Sequence, residues 1–153
     1  MDSQLVQVAE EIARRAHEGQ VDKAGEPYIE HPRRVAERAS VLADPDLREA
    51  AAAAAWLHDV VEDTTLTLED LAAAGIPPSV LDAVDLVTKV DGQSAEQYFS
   101  RIRENPLARV VKLADLIDNT DPARIRKLDG RTQERLGVKY ARSVQLLLGG
   151  RDV

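Results

Sequence analysis

Two of the three histidines in the sequence lie in patterns that are typical of metal binding. In "AWLHDVVEDTT", residues 55–65, His58 stands four residues before Glu62, and Asp59 stands four residues before Asp63. On one helix these pairs occupy neighbouring faces, so an imidazole and three carboxylates surround one helix end. Burying an unpaired carboxylate there is costly, and a bound cation removes that cost. A solvated helix end with hydrated acids is the alternative interpretation of this segment.

A second histidine, His31, lies in an interruption of the helical pattern. The segment "GEPYIEHP", residues 25–32, contains Gly25, Pro27 and Pro32, which together predict a turn. Because proline is well suited to the first turn of a helix, we expect the next helix to begin at Pro32. His31 is then presented at the bend that precedes this helix.

A further carboxylate, Asp115, lies in "ARVVKLADLIDNTD", residues 108–121, beside an apolar stripe with the spacing of a buried helix face. Taken alone, Asp115 could equally be a helix residue at the boundary of the core. Taken together, the three segments offer two imidazole nitrogens and two carboxylates: His31, His58, Asp59 and Asp115. This set favours a divalent ion with positions open to water and substrate, Mn²⁺ or Fe²⁺ more than a closed structural zinc site.

The elements that must position these residues are helices, because the dominant hydrophobic period along the chain is helical and no convincing strand alternation appears. A "TLED" capping pattern and the prolines of "GIPP" mark two of the helix starts. We predict an all-α, compact helical bundle forming one domain over residues 1–153. The predicted helices cover about 3–18, 32–43, 44 or 46 to 63, 67–74, 79–89, 94–104, 106–118 and 131–148.

Composition narrows the class of protein. The chain has no cysteine, which excludes disulfides and thiolate metal sites, and its net charge of −7 argues against nucleic acid or an anionic membrane as partner. The longest apolar run, residues 50–57, is far shorter than the ~20 residues of a membrane helix, and the N-terminus lacks the apolar core of a signal peptide. We expect a soluble, cytoplasmic protein, and a small anionic substrate is compatible with this charge if a few cations line one pocket.

The order His, His-Asp, Asp resembles the HD phosphohydrolase superfamily, and four separated blocks are more particular. The blocks "HEGQVDKAGEPYIEHPRRVA", "LHDVVEDTTLTLEDL", "VTK" and "VKLAD" are similar to the hydrolase domain of RelA/SpoT-type enzymes and to small alarmone hydrolases. This resemblance covers about residues 9–120. It implies a bundle of about ten helices and removal of the 3′-pyrophosphate from alarmone nucleotides, (p)ppGpp or (p)ppApp. The resemblance thus implies a small nucleotide as substrate, and a companion alarmone synthetase is a candidate partner.

The resemblance also implies roles for individual residues. It makes His31, His58, Asp59 and Asp115 the ligands of one Mn²⁺ ion. Glu62 and Asp63 match a pair that positions and activates the attacking water. The residues that match nucleotide contacts are Lys23, Asn119 and, in a looser alignment, Tyr140.

Other charged residues near the motifs receive plainer interpretations. Lys89 and Lys112 lie near the motifs and are candidate cations for an anionic substrate, with an ordinary solvated surface charge as the alternative for each. We expect Arg33 and Arg34 to be ordinary solvated surface charges. His17, which ends the first helix, is interpreted as a structural or supporting residue and not as a metal ligand.

The sequence departs from the family pattern in the nucleotide pocket. Asp22 replaces the usual arginine before Lys23, and "DLIDN" replaces the usual Asp-Arg-Leu-His-Asn, which places Leu116 and Asp118 at altered positions. Asp121 stands near the place of a further missing arginine. A carboxylate at residue 22 can accept from a base amino group but cannot donate to the guanine carbonyl, so we expect weaker selection for guanine.

Two other functions stay open from the sequence. The lost basic residues favour an HD phosphohydrolase that acts on another nucleotide or phosphate ester. The third hypothesis is a non-catalytic metal-binding module that acts by contact with a partner such as a synthetase. The Glu62 and Asp63 pair argues against the third, because a contact module has no evident need to activate water. The oligomeric state is not encoded in any pattern that we recognise.

Overall fold

Helices provide the regular secondary structure of residues 3–149, which are the residues that the computed structural model describes. Within this range the sole strand-like pairing is one isolated antiparallel bridge between Val21 and Pro27. The all-α prediction is therefore confirmed. None of the described helices is long and apolar enough to cross a membrane. The helices are α1 (Gln4–Ala16), α2 (Glu30–Leu42), α3 (Arg48–Leu57), α4 (Val60–Asp63), α5 (Leu68–Ala73), α6 (Pro78–Val87), α7 (Ala95–Arg103), α8 (Pro106–Asn119), α9 (Pro122–Ile125) and α10 (Gly130–Leu147).

Helix α3 lies at the centre of the bundle, packed against α1, α2, α6 and α8. Every residue from Ala51 to Leu57 is buried, and five of these seven are alanine. Alanine has the highest helix propensity, and its small side chain lets neighbouring helices approach closely on all sides. The apolar stretch therefore fixes the direction of α3, whose C-terminal end carries His58 and Asp59.

Local capping explains where several helices begin. Thr67 and Asp70 form a reciprocal capping box at α5, as the "TLED" pattern predicts, and Ser94 with Gln97 forms another at α7. Asn105 caps α8 through bonds from the amides of residues 107 and 108, and Pro106 follows at the first helical position. The predicted bounds of α1, α5, α6, α7, α8 and α10 lie within two residues of the observed ones.

Two predictions about the helices that carry the histidines are wrong. Helix α2 begins at Glu30, so His31 lies in its first turn and not at a bend before it. The long helix predicted up to residue 63 is divided: a 3₁₀ turn covers Pro45–Leu47, and α3 ends at Leu57 before α4 begins at Val60. The second break has a local cause, because the Ala55 carbonyl accepts from both the backbone amide and the Nδ1 of His58.

Two further segments complete the surroundings of the site. The loop between α1 and α2 contains a tight turn in which the Gly25 amide donates to the carbonyl of Asp22 at 3.0 Å. Gly25 has φ of +82°, a conformation that L side chains rarely adopt. The short helix α9 was not predicted, although "DP" at residues 121–122 is a helix-start signal: Asp121 caps it by accepting from the Ala123 amide.

Candidate active site

His31 is buried in the first turn of α2, with 4% of its surface exposed. Its Nε2 atom lies 2.9 Å from Oδ1 of Asp115 on α8. Its Nδ1 atom lies 2.7 Å from Oδ2 of Asp118, one turn further along the same helix. The ring is therefore fixed at both nitrogens by carboxylates of α8.

His58 and Asp59 occupy the break between α3 and α4. Because a carbonyl can only accept, the 2.6 Å contact with Ala55 O places a proton on Nδ1 of His58 and leaves Nε2 facing the site. That Nε2 lies 3.0 Å from Oδ2 of Asp59 and 3.2 Å from Oδ1 of Asp115. The helix break thus turns both side chains toward the same point as His31.

The structure brings together the four residues that the sequence analysis selected as ligands. Potential ligand atoms of His31, His58 and Asp59 all lie within 4.8 Å of one another, a group able to hold a metal ion. Asp115 is at hydrogen-bond distance from both imidazoles, as described above, although it is not a member of that three-residue group. Their roles as ligands stay a prediction, but neutral Nε2 atoms and carboxylates are the donor types that a divalent ion requires.

The carboxylates of the cluster require positive charge beside them. Burial alone would lower the pKa of His58, but the charge of Asp59 and the hydrogen bond to Asp115 outweigh it and raise that pKa well above its ordinary value. Burial likewise opposes ionisation of Asp59, but His58 outweighs it and lowers the pKa of Asp59 to about 2. Without metal, the protons of the imidazoles therefore supply the positive charge that a divalent ion would replace.

Tyr28, within the "GEPYIEHP" block, supports Asp59 from the loop before α2. Its hydroxyl donates to Oδ2 of Asp59. The ring of His17 packs on it with a centroid distance of 4.9 Å, and His17 is itself buried. Sequence reasoning did not select Tyr28, whereas the supporting place expected for His17 agrees with this geometry.

Lys112 contacts the carboxylate oxygen of Asp115 that the two imidazoles do not contact. Its Nζ lies 3.0 Å from Oδ2 of Asp115 and 5.4 Å from the centroid of the Tyr98 ring. Burial alone would lower the pKa of Lys112, but Asp115 outweighs it and raises that pKa above its ordinary value. Asn119 also donates to Asp115, at 3.2 Å. The carboxylate is thereby held in one orientation.

Glu62 and Asp63 are exposed on the last turn of α4, at the edge of the same site. Oε1 of Glu62 accepts from the backbone amide of Lys89 at 2.8 Å, which holds Glu62 toward the end of α6. Burial, followed by the charges of Asp59 and Glu62, raises the pKa of Asp63 to about 6. A carboxylate with this pKa is suited to accept a proton near neutral pH.

The cluster lines a cleft of about 540 Å³ to which several elements also contribute cations. Burial and the nearby charges of Lys112 and Lys139 lower the pKa of Lys89. Burial and the charges of Lys23 and Lys112 lower the pKa of Lys139. Lysines that repel one another in this way form a natural site for an anion. The three residues that match nucleotide contacts in the family also line this cleft: Lys23, Asn119 and Tyr140.

Arg124 on α9 is a cleft residue that sequence reasoning missed. Its Nη1 donates to Oδ2 of Asp118 at 3.0 Å and to Oδ1 of Asn119 at 2.9 Å. Arg34 was wrongly predicted to be a solvated surface charge, because its Nε donates to Asp118 at 2.8 Å. Arg33 does lie at the surface, paired with Glu30 and Glu37. The "DPAR" start of α9 was the available signal for Arg124, but only the fold directs its side chain into the cleft.

Asp22 shapes the loop between α1 and α2. Its Oδ1 accepts from the backbone amides of Ala24 at 2.9 Å and Glu26 at 3.0 Å. Its Oδ2 lies 3.5 Å from Nη2 of Arg124. One carboxylate oxygen is thus committed to the turn, and the other faces Arg124 at the wall of the cleft. A contact between Asp22 and a nucleotide base stays a prediction.

Comparisons with known proteins agree with this architecture. A family model described as an HD domain matches residues 9–135. A metazoan orthologue of SpoT, described as hydrolysing ppGpp, has a solved structure that superposes with a TM-score of 0.73 at 26% identity, covering 97% of this chain and 88% of that one.

Curated relatives share a segment with this chain. A guanosine-3′,5′-bis(diphosphate) 3′-pyrophosphohydrolase of Vibrio cholerae is 41% identical over 119 residues, 71% of this chain and 16% of that protein. A probable GTP pyrophosphokinase of Mycobacterium leprae is 36% identical over 124 residues, 75% of this chain and 15% of that protein. The chain therefore spans only about a sixth of the length of these relatives. The resemblance inferred from its motifs is confirmed, and the chain belongs to the HD-domain family.

Proposed function

We propose that the chain is a divalent-metal-dependent pyrophosphohydrolase that removes the 3′-pyrophosphate from alarmone nucleotides such as (p)ppGpp or (p)ppApp. One observation carries the proposal: two buried imidazoles and two carboxylates converge at a cleft that mutually repelling lysines also line. The names of the relatives supply the substrate class, because several act on the 3′-pyrophosphate of guanosine nucleotides.

The metal is proposed to be one Mn²⁺ ion held by His31, His58, Asp59 and Asp115. A bound divalent ion lowers the pKa of its water and withdraws charge from phosphoryl oxygens. Two nitrogen and two oxygen donors without any thiolate are compatible with Mn²⁺. Tyr28, Lys112 and Asn119 hold the two carboxylates in place through the contacts described above.

The reaction breaks the bond between the ribose 3′ oxygen and the adjacent phosphorus, while a water oxygen bonds to that phosphorus. We assign acceptance of the water proton to Asp63, whose pKa of about 6 lets it be ionised at neutral pH. Glu62, held by the Lys89 amide, orients the water. Pyrophosphate and a nucleotide with a free 3′-hydroxyl are the products.

The lysines have a separate task in binding the substrate. In an acidic chain with a net charge of −7, a polyanion needs local cations, and Lys23, Lys89 and Lys139 line the cleft. A phosphate group placed among them relieves their mutual repulsion, so binding is coupled to the substrate's negative charge. Tyr140 offers an aromatic surface for the base beside Lys139.

The proposal is tested by incubating purified protein with Mn²⁺ and a panel of nucleotides. The panel contains guanosine and adenosine nucleotides with a 3′-pyrophosphate, and the matching nucleotides that carry phosphates only at the 5′ position. We expect pyrophosphate release only from the first group, loss of release in Asp59→Ala, and normal release in Asp46→Ala. Asp46 is an exposed acid that does not line the cleft, so it controls for the loss of a charge.

A second function is favoured by the departures in the cleft. Asp22 and Leu116 line the cleft at positions where the family pattern has arginine, which suits a substrate with fewer phosphates or another base. Hydrolysis of a different phosphate ester in the same panel, with none of the 3′-pyrophosphates, would replace the alarmone proposal by this one. Binding of a synthetase without any metal-dependent turnover would support the contact module instead.

A further inference from the structure

Asp118 is a completely buried carboxylate that the proposed reaction does not use, with 0% of its surface exposed. It lies on α8 three residues after Asp115, and it faces the opposite nitrogen of the same histidine. His31 therefore sits between two carboxylates, with Nε2 at 2.9 Å from Asp115 and Nδ1 at 2.7 Å from Asp118.

The proton between His31 and Asp118 can be placed from the donor inventory. An ionised carboxylate only accepts hydrogen bonds, so the 2.7 Å contact requires a proton on Nδ1 of His31. Nη1 of Arg124 lies 3.0 Å from the same Nδ1, but it can donate to the oxygens of Asp118 and Asn119 instead. Nε2 of His31 likewise lies 2.9 Å from Oδ1 of Asp115, and it is the nitrogen whose proton a divalent ion would displace.

Arginines stabilise the ionised form of Asp118. Nε of Arg34 donates to Oδ1 at 2.8 Å, and Nη1 of Arg124 donates to Oδ2 at 3.0 Å. Nε of Arg38 lies 3.7 Å from Oδ1, and it is a buried donor without a hydrogen-bond partner among the described residues. A buried carboxylate is stable when it is paired and hydrogen-bonded in this way.

The two histidines of the cluster are held differently. Nδ1 of His58 donates to a neutral carbonyl, that of Ala55, whereas Nδ1 of His31 donates to a charged carboxylate. A carboxylate acceptor fixes the tautomer and makes the imidazole a stronger ligand than a carbonyl does. The position of Asp118 is occupied by histidine in the pattern that this chain otherwise resembles, so the carboxylate is a property of this chain.

We propose that Asp118 is a positioning residue of the metal site, which orients His31, keeps the proton on its Nδ1 and strengthens its Nε2 as a ligand. The departure at residue 118 thus belongs to the support of the metal and not to the nucleotide pocket. This inference rests on the proposed metal site, and its readouts are metal affinity and a ligand proton instead of turnover.

The first test measures the affinity for Co²⁺, added alone to metal-free protein, by calorimetry. Asp118→Asn keeps the size of the side chain and removes its charge, and we expect affinity to fall by about 10–100-fold. Asp121→Asn is the matched control, because Asp121 also pairs with an arginine, Arg38 at 3.0 Å, and asparagine retains its helix cap. The affinity of the control for Co²⁺ should lie within about twofold of that of wild type. This change is much smaller than the one expected when a carboxylate that accepts from a ligand histidine is lost.

A second test reads the His31 proton directly and needs only the wild-type protein. In the ¹H NMR spectrum of the Co²⁺-loaded protein, the Nδ1 protons of both ligand histidines appear as strongly shifted, solvent-exchangeable signals. We expect two such signals that exchange slowly, because both protons are buried and hydrogen-bonded. In Asp118→Asn the His31 signal should shift while the His58 signal, on the Ala55 carbonyl, stays in place.

The outcomes separate this inference from the proposal on which it rests. Failure of the wild-type protein to bind Co²⁺ would overturn the metal site and the inference together. Binding with only one slowly exchanging signal, or equal affinity in Asp118→Asn and wild type, would overturn the role of Asp118 alone. If Asp118→Asn does not fold, as circular dichroism of the metal-free variant would show, the wild-type spectrum decides.

Discussion

Replacing Asp63 by asparagine is expected to stabilise the metal-free protein, and to do so only where the carboxylate is ionised. Burial and the charges of Asp59 and Glu62 raise the pKa of Asp63 from an ordinary value of 3.8 to about 6 in the folded chain. A group whose pKa is higher in the folded than in the unfolded protein contributes fully to the free energy of unfolding at a pH below its unfolded-state pKa. That contribution is lost as the pH rises through its folded-state pKa. The loss therefore falls between pH values of about 4 and 6.

The size of the effect follows from the same values. The difference between 3.8 and about 6 corresponds to an upper value of about 3 kcal/mol, at about 1.36 kcal/mol for each tenfold change in acidity. Asp63 is exposed at the edge of the cleft, so water screens much of this interaction. We therefore expect a net effect of about 1 kcal/mol.

The assay is urea unfolding of metal-free wild type and Asp63→Asn at about pH 4.5 and about pH 8. The destabilising effect of the Asp63 charge is small at the lower pH and complete at the higher one. Asp63→Asn should be more stable than wild type at the higher pH, and the two should converge at the lower pH. Asp82→Asn, an exposed acid on α6 outside the cleft, should show no such pH-dependent difference. A difference that is absent, or that grows toward acid, would refute the electrostatic account of Asp63.

Glu62→Gln should retain the metal, as metal analysis can check, while steady-state turnover falls by about 10²-fold, the typical value of a lost acid–base or water-positioning group. Lys139→Ala should raise KM by about tenfold with little change in kcat, since one charge-assisted contact contributes about 1.5–3 kcal/mol. Wild type should hydrolyse the adenosine alarmone about as efficiently as the guanosine one, and Asp22→Arg should move the kcat/KM ratio toward guanosine by about tenfold. Asp22→Asn keeps the acceptor for the turn and serves as its control; an unchanged ratio in Asp22→Arg would contradict base reading by residue 22.

The sequence predicts most of the helices because they depend on local signals, whereas the residues of the cluster were selected by combining three separated motifs. The alanine run, the capping box at Thr67 and the proline at residue 106 each specify a helix from neighbouring residues. His58 and Asp59 are recognisable in the sequence because they directly follow a long apolar stretch. The expectation of one domain over residues 1–153 stays a prediction, since the structure describes residues 3–149.

The parts that the sequence does not predict depend on side-chain contacts, some between distant segments and some within one helical turn. Arg34 and Asp118 lie 84 positions apart, and neither local pattern shows that the arginine will be drawn inward by a buried carboxylate. The break after Leu57 depends on the rotamer of His58, whose Nδ1 competes for a helical carbonyl. Arg124 reaches the cleft from the short helix α9, which follows α8 directly and contacts it. These are consequences of packing, which hydrophobic periodicity does not encode.

Identification of the reaction products shows most directly which bond the metal-loaded protein breaks. Guanosine tetraphosphate is incubated with the protein and Mn²⁺, and the products are separated by anion-exchange chromatography. The account predicts guanosine diphosphate and pyrophosphate in equal amounts, with neither formed when the metal is chelated. Release of single phosphate groups, cleavage at the 5′ end, or product formation that persists without metal would contradict it.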